Sequence, residues 1–206
     1  MRRGGGATER AALYSSPYGA LAQLGEHLLC KQGVAGSIPA RSIASTFDSI
    51  LMSAHVPAIG TLAPDFTIET TTGHAVTLSS FRGAHHVLLA FFPLAFTGVC
   101  TEEMCAFTDN FDAFSSKEVT VLPISVDSVP TLKEFKAKHG MKVDLGSDFK
   151  REVATAYGVL HPAFFSTRAY FLIDKTGVIR WSFVEATPGT RRQNAEILGE
   201  IAKLAG

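Results

Sequence analysis

The sequence predicts an α/β fold, a central mixed sheet with helices on both faces, and three observations carry that reading. Residues 87–92 ("VLLAFF") are apolar at every position, as a strand is when its sheet is covered on both sides, and 119–127 ("VTVLPISVD") reads as a second buried strand. Segments with apolar residues at helical spacing alternate with these runs. The chain then closes with a hairpin pattern and an amphipathic helix, which completes a three-layer arrangement.

Taken in order, "GTLAPDFTIETTTGHAVTLSSFRG" predicts an extended start, a turn at Thr72-Gly73 and a second extended segment. A loop at Arg82-Gly83 leads into the 87–92 strand. From about Thr101, the residues Met104, Ala106, Phe107, Phe111 and Phe114 fall near helical spacing with acids between them, predicting one helix. The 119–127 strand follows, then a short helix in "VPTLKEFKAKHG" with a charged, solvated face and a stop at Gly140. "DFKREVATAYGV" predicts another helix. "RAYFLIDKTGVIRWSFV" predicts a hairpin turning at Asp174-Lys175-Thr176-Gly177, with Trp181 packed under the closing helix "RRQNAEILGEIAKLAG".

The length of 206 residues suits one well-buried domain plus an appendage. Lysine and arginine total 19, as do aspartate and glutamate, so charge gives no case for nucleic acid or an anionic membrane surface as a partner. The longest apolar run, "VLLAFFPLAF", has strand length, contains a proline and is far short of a membrane span. Three cysteines are too few, and odd in number, for a disulfide scaffold, which favours a reducing, cytoplasmic setting.

Composition changes near Met52, so the domain is assigned to 52–206. Residues 1–51 are rich in Gly, Ala, Ser and Arg and show no sustained period. One reading of them is a targeting peptide, against which Glu9 and Glu26 argue. A second reading fits better. "AQLGEH" (22–27) and "GSIP" (36–39) back-translate in frame to codons resembling the D-arm and T-arm of transfer RNA genes. Residues 19–42 are then expected to be read-through of such a gene, and 1–51 a non-native or disordered extension in which His27 and Cys30 carry no chemistry.

The chemistry concentrates in "PLAFTGVCTEEMC", residues 93–105. A strand, Pro93, a short loop and a helix starting near Cys100 place that thiol at a helix N-terminus, where unpaired N–H groups and the dipole favour a thiolate. Thr97 lies three residues earlier, within reach of the sulfur or of an oxygen bound to it. Pro93 ends the strand without exposing an N–H and shields the site from water. Metal binding by Cys100 and Cys105 is disfavoured, because a zinc site needs a second pair of ligands and none follows.

The pattern Pro93-xxx-Thr97-xx-Cys100 resembles the active-site motif of the peroxiredoxins, thiol peroxidases of thioredoxin-like fold. "LAPDFTI", "LSSFRG", "PISVD", "SDF" and "RAYFLIDKTGVIRW" follow that family's order from about Ala58 onward. "FFPLAFTGVC" is most similar to the alkyl hydroperoxide reductase E branch, and the cysteine five positions on to the bacterioferritin-comigratory, or Q, branch. The resemblance implies that Cys100 attacks the peroxide and becomes a sulfenic acid. It implies that Thr97 hydrogen-bonds the peroxide, that Pro93 shields the sulfenate, that Arg168 approaches from a separate strand, and that Glu103 orients that arginine. It implies hydrogen peroxide or an organic hydroperoxide as substrate, thioredoxin or a glutaredoxin-like protein as reductant, a monomer or homodimer, and no metal, flavin or haem.

Ionisation alone does not account for such a catalyst. An ordinary thiol is already a few per cent thiolate near neutrality, so full ionisation adds at most some tens-fold, against roughly 10⁶-fold or more for an enzyme. The rest must come from aligning the O–O bond and from donors aimed at the developing charge, a task suited to the fixed fork of an arginine.

Cys105 has two readings. Five residues along an intact helix is about 7.5 Å of rise and roughly 140° of rotation, whereas a disulfide needs Cα atoms within about 7 Å and converging side chains. If Cys105 resolves the sulfenic acid, as the family resemblance implies, the helix must unwind in each cycle, a two-state change that the rival reading, a non-enzymatic redox sensor, would use to signal to a partner. Otherwise it packs as a small apolar residue among Met104, Ala106 and Phe107. Three further features stand outside the motif. His85-His86 is read as one solvated ring and one loop contact, and His161 as a surface-loop residue. Phe164 and Phe165 are read either as core or as an exposed patch for dimerisation.

Overall fold

The computed structural model describes residues 55–205. The expectations for residues 1–51, and the exact domain start at 52, lie outside the described residues. Seven strands form one mixed sheet: β1 (Thr67–Thr70), β2 (Ala75–Thr77), β3 (His86–Phe91), β4 (Val119–Ser125), β5 (Gly146–Ser147), β6 (Ala169–Ile173) and β7 (Ile179–Val184), in the order β2-β1-β5-β4-β3-β6-β7. The inner strands β3, β4 and β5 run parallel, while β6 and β7 on one side and β1 and β2 on the other run antiparallel. The helices are α1 (Gly98–Asp109), α2 (Phe111–Ser115), α3 (Val129–His139), α4 (Glu152–Ala156) and α5 (Asn194–Ala202).

The apolar run that begins at Val87 in β3 divides its side chains between two cores. Leu88, Ala90 and Phe92 face the core built with Cys100, Met104 and Phe107 of α1, Leu132 and Phe135 of α3, and Ile197 and Ile201 of α5. Val87, Leu89 and Phe91 face the core built with Val153 and Ala154 of α4 and with Tyr157, where the rings of Phe91, Tyr157 and Phe171 lie 4.9–5.9 Å apart. Period-two alternation in the strand thus explains why both faces are covered. Pro123, inside β4, sits opposite Ala90 of β3, at a level where the pairing with β5, confined to Ile124 and Ser125, has not begun.

Three local departures have physical causes. The single helix predicted from Thr101 begins three residues earlier and breaks at Asn110, separating α1 from α2. The side-chain amide of Asn110 donates to the Ala106 carbonyl four residues back, competing with continuation of the helix. A short 3-10 helix, Leu78–Phe81, precedes the loop at Arg82-Gly83. Strand β5 is two residues long and carries no apolar pattern; its Gly146 leaves room for Ile68, whose Cδ1 would collide with an added Cβ. The expected stop of α3 holds: Gly140 takes a left-handed conformation (φ 60°) and Ser128 caps the other end by accepting from the Thr131 N–H. Trp181 packs with Phe183 against the core that includes α5.

The β6–β7 hairpin turns as expected at 174–177. Asp174 Oδ1 accepts from the Thr176 N–H (2.8 Å), the Thr176 hydroxyl (2.6 Å) and the Val178 N–H (3.0 Å), and Oδ2 accepts from Arg180 Nε (2.6 Å). Burial raises this carboxyl, but the Thr176 hydroxyl, Arg180 and the two N–H groups outweigh it and bring it down to about 2 from the ordinary 3.8. Asp174→Ala is therefore expected to lower stability by about 1–3 kcal/mol in a denaturant melt. Because the folded value is the depressed one, the carboxylate's stabilisation is complete above pH 3.8 and is lost as pH falls through about 2.

Candidate active site

The exit from β3 is shaped to present Cys100. Pro93 is buried two residues past the strand, and the Ala95 N–H donates to Asp127 Oδ2 (2.8 Å), which also accepts from the Ser125 hydroxyl (2.8 Å). Phe96 then adopts a left-handed backbone (φ 63°), uncommon for a bulky residue, with its ring against Phe135 (5.0 Å) and beneath the Lys138 ammonium. Thr97 is the extended residue that starts α1, and its carbonyl accepts the first helical bond, from the Thr101 N–H (2.9 Å). Cys100 is thus the third residue of the helix, in the turn whose N–H groups lack intrahelical acceptors.

On α1, the buried residues Cys100, Glu103, Met104 and Phe107 form one stripe with steps of three and four. Glu103 is the odd member, an acid only 1% exposed on an otherwise apolar stripe. Its partners come from the other side of the core. Arg168 immediately precedes β6, and alternation along that strand turns Arg168, Tyr170 and Leu172 toward α1 while Phe171 and Ile173 face the second core.

Arg168 is completely buried and its guanidinium holds three groups. Nη1 donates to Glu103 Oε2, while Nη2 donates to Cys100 Sγ (3.2 Å) and to the Pro188 carbonyl (3.2 Å). The other Glu103 oxygen accepts from the Tyr170 hydroxyl, which itself accepts the Arg192 N–H (3.2 Å). Burial pushes the Glu103 carboxyl up, with the Arg168 charge and the Tyr170 hydroxyl pulling the other way. Burial also works against the Arg168 charge, but the neighbouring Glu103 and Cys100 raise that guanidinium above its ordinary value. Burial, and then Glu103, raise the Tyr170 phenol, so it stays a hydrogen-bond donor at physiological pH. Arg168 Nε is buried with no acceptor among the described residues.

Each sequence-predicted residue can now be located. Cys100, Glu103 and Arg168 meet directly, and Pro93 and Thr97 flank them in sequence on the β3–α1 loop. Thr97 is exposed, and its hydroxyl donates to the Leu94 carbonyl (2.9 Å), which leaves the oxygen lone pairs as acceptors. Cys105 is half-buried on the unbroken helix, and both Cys100 and Cys105 are free thiols. His161 stacks on Phe165 (4.4 Å) and accepts the Ala163 N–H through Nδ1 (3.1 Å). Phe164 is 67% exposed and Phe165 is half-buried, stacked on His161 and outside both core clusters. His85 is exposed and His86 half-buried at the start of β3.

Sequence reasoning missed Tyr170 and Asp127. A signal for the first was present: a tyrosine two residues from Arg168 on a strand shares its face, and a buried phenol needs a polar partner. Asp127 ends the quoted "PISVD", but its bond to Ala95 spans 32 residues and leaves no local mark.

A thiol gripped by a buried arginine at the first turn of a helix, on a thioredoxin-like sheet, defines the protein as a thiol-based redox enzyme. The chain belongs to the AhpC/TSA family, matching it over residues 59–182, and is a peroxiredoxin, an oxidoreductase acting on peroxide. It is 38% identical over 138 residues to alkyl hydroperoxide reductase E of Mycobacterium tuberculosis, covering 66% of this chain and 90% of that one. To the chloroplastic peroxiredoxin Q of Oryza sativa subsp. japonica it is 35% identical over 147 residues, covering 70% and 65%. Among solved structures, the reduced 2-Cys peroxiredoxin of Plasmodium vivax is similar at a TM-score of 0.67 and 34% identity, covering 72% of this chain and 83% of that one.

Proposed function

We propose that this chain reduces hydrogen peroxide and small organic hydroperoxides with Cys100 as the attacking thiolate, resolves the product with Cys105, and is recycled by thioredoxin or a similar dithiol donor. The observation that carries this reading is the 3.2 Å contact between Arg168 Nη2 and Cys100 Sγ inside a buried ion-pair network. A fixed positive charge beside the sulfur stabilises charge that moves onto the peroxide oxygens.

In the first step the Cys100 sulfur attacks the terminal peroxide oxygen, an S–O bond forms as the O–O bond breaks, and the departing alkoxide or hydroxide takes up a proton. Thr97, already donating to Leu94, accepts the hydroperoxide O–H, while Arg168 donates to an oxygen. Pro93 keeps water from the resulting sulfenic acid. In the second step the Cys105 sulfur displaces the sulfenic oxygen, forming the disulfide; that oxygen leaves as water with the Cys105 proton. A reducing compartment such as the cytoplasm suits the dithiol donor, and the assembly is a monomer or homodimer. The rival cycle keeps Cys105 structural and lets an external thiol resolve the sulfenate.

Mass measured after one equivalent of peroxide separates the two. The wild-type chain is expected to lose two hydrogens and gain no oxygen, and Cys105→Ser to stop at Cys100 plus one oxygen. Turnover with thioredoxin is expected to fall at least about tenfold in Cys105→Ser, with the peroxide-dependent step unchanged. Equal turnover in the two proteins would overturn the resolving role.

A further inference from the structure

Helix α1 is anchored unevenly. The Ala106 carbonyl, one residue past Cys105, accepts three donors: the Asn110 N–H (3.1 Å), the Asn110 side-chain amide (3.1 Å) and the Asn194 amide at 2.7 Å. Asn194 is the first residue of α5, only 8% exposed, and lies 88 residues away in sequence. Two residues on, the Thr108 hydroxyl donates to the Met104 carbonyl and accepts the Lys142 N–H (3.2 Å) from outside the helix. The backbone of the first turn has a different kind of support: Thr97 receives both the N–H and the hydroxyl of Thr101, bonds wholly within the helix, and only the side chains of Cys100 and Glu103 are held from outside, by Arg168 and Tyr170.

We propose that Asn194 is a clamp that stops the unwinding of α1 at Ala106, so that Cys105 stays in place while the segment carrying Cys100 swings to it. The inference rests on the reading of Cys105 as the resolving cysteine. Closing the disulfide requires the residues between the two cysteines to leave helical geometry, since about 140° and 7.5 Å separate them. An opening that ran on to Asp109 would release Phe107 from the core and give Cys105 the freedom of a loose loop, at an entropic cost to closure. The Asn194 bond falls on the first carbonyl beyond the segment that must move. The step itself needs no added oxidant: the S–O bond of the Cys100 sulfenic acid breaks, the S–S bond forms, and the hydroxide leaves as water with the Cys105 proton.

The test uses Asn194→Leu, which keeps side-chain bulk and removes the donor, with Asn194→Ala as a second variant. Quenched-flow mass measurement after hydrogen peroxide follows sulfenic acid and disulfide separately. Hydrogen exchange on the disulfide form reads protection at the Asn110 N–H, which bonds to the Ala106 carbonyl. Sulfenic acid formation is expected to stay within twofold of wild type, and disulfide formation to slow by about fivefold, the factor one ordinary hydrogen bond represents. Wild-type disulfide protein should exchange fast at 101–109, whose N–H acceptors lie within or before the opened segment, and slowly at Asn110, whose N–H bonds to the Ala106 carbonyl, and the variants should lose that protection. Faster disulfide formation in the variants, or wild-type exchange already fast at Asn110, would overturn the clamp while leaving Cys105 as the resolving residue. A wild-type chain that never leaves the sulfenic mass would overturn the resolving role and the clamp with it.

Discussion

Cys100→Ser is expected to leave a folded protein that does not consume peroxide. The side chain is 2% exposed in the core beneath α1, and oxygen for sulfur is a small change of volume, so melting should move little. The chemistry does not survive the change. A serine hydroxyl is scarcely ionised near neutrality, and the thiolate is among the strongest nucleophiles a side chain offers. Serine also has no counterpart of the sulfenic acid, so the oxygen has no acceptor. The rate constant for peroxide should fall to the uncatalysed background, a loss on the order of 10⁶-fold, read by stopped-flow mixing or competition for hydrogen peroxide. A variant retaining a tenth of the activity would remove Cys100 from the centre of the site.

The second large effect is expected at Arg168. Arg168→Lys keeps the charge but cannot reproduce a fork that meets Glu103, Cys100 and the Pro188 carbonyl together. Loss of an aimed donor is expected to reduce the second-order rate constant for peroxide by about 10²–10³-fold. Removing the charge, as in Arg168→Met, also leaves Glu103 buried without its partner, a defect of about 3–5 kcal/mol for a broken buried ion pair. The double variant Arg168→Met with Glu103→Gln removes both charges and should recover much of that stability while the rate stays low. Slow reaction in a stable double variant assigns the loss to chemistry; recovery of rate along with stability would show that Arg168 acts only as a strut.

Much of this was legible because the informative features are local. Apolar residues on both faces of β3 and β4, the turn at 174–177 and Gly140 after α3 each announce themselves within a few positions. Pro93, Thr97, Cys100 and Glu103 lie on one loop and one helix, within eleven residues of sequence. What escaped is long-range or cryptic. The break at Asn110 was hidden because Phe107, Phe111 and Phe114 keep helical spacing straight through it, although α1 ends at Asp109. The Asp127 bond to Ala95, the Tyr170 bond to Glu103 and the Asn194 bond to Ala106 span 32, 67 and 88 residues. Such contacts are set by how the layers stack, which periodicity alone does not encode.

Glu103 stands between Cys100 and Cys105 in the chain, and this has a consequence for timing. Any opening of that stretch carries the carboxylate away from Arg168 and Tyr170, so the peroxide-activating apparatus comes apart in the same motion that would bring the two sulfurs together. If Cys105 resolves the sulfenic acid as proposed, assembly for attack on peroxide and readiness for disulfide exchange are mutually exclusive states of one short peptide. In the disulfide cycle proposed above this would be an interlock: a molecule engaged with its reductant would have its peroxide trigger disarmed, and would rearm only when the helix wound back and Glu103 returned to its arginine.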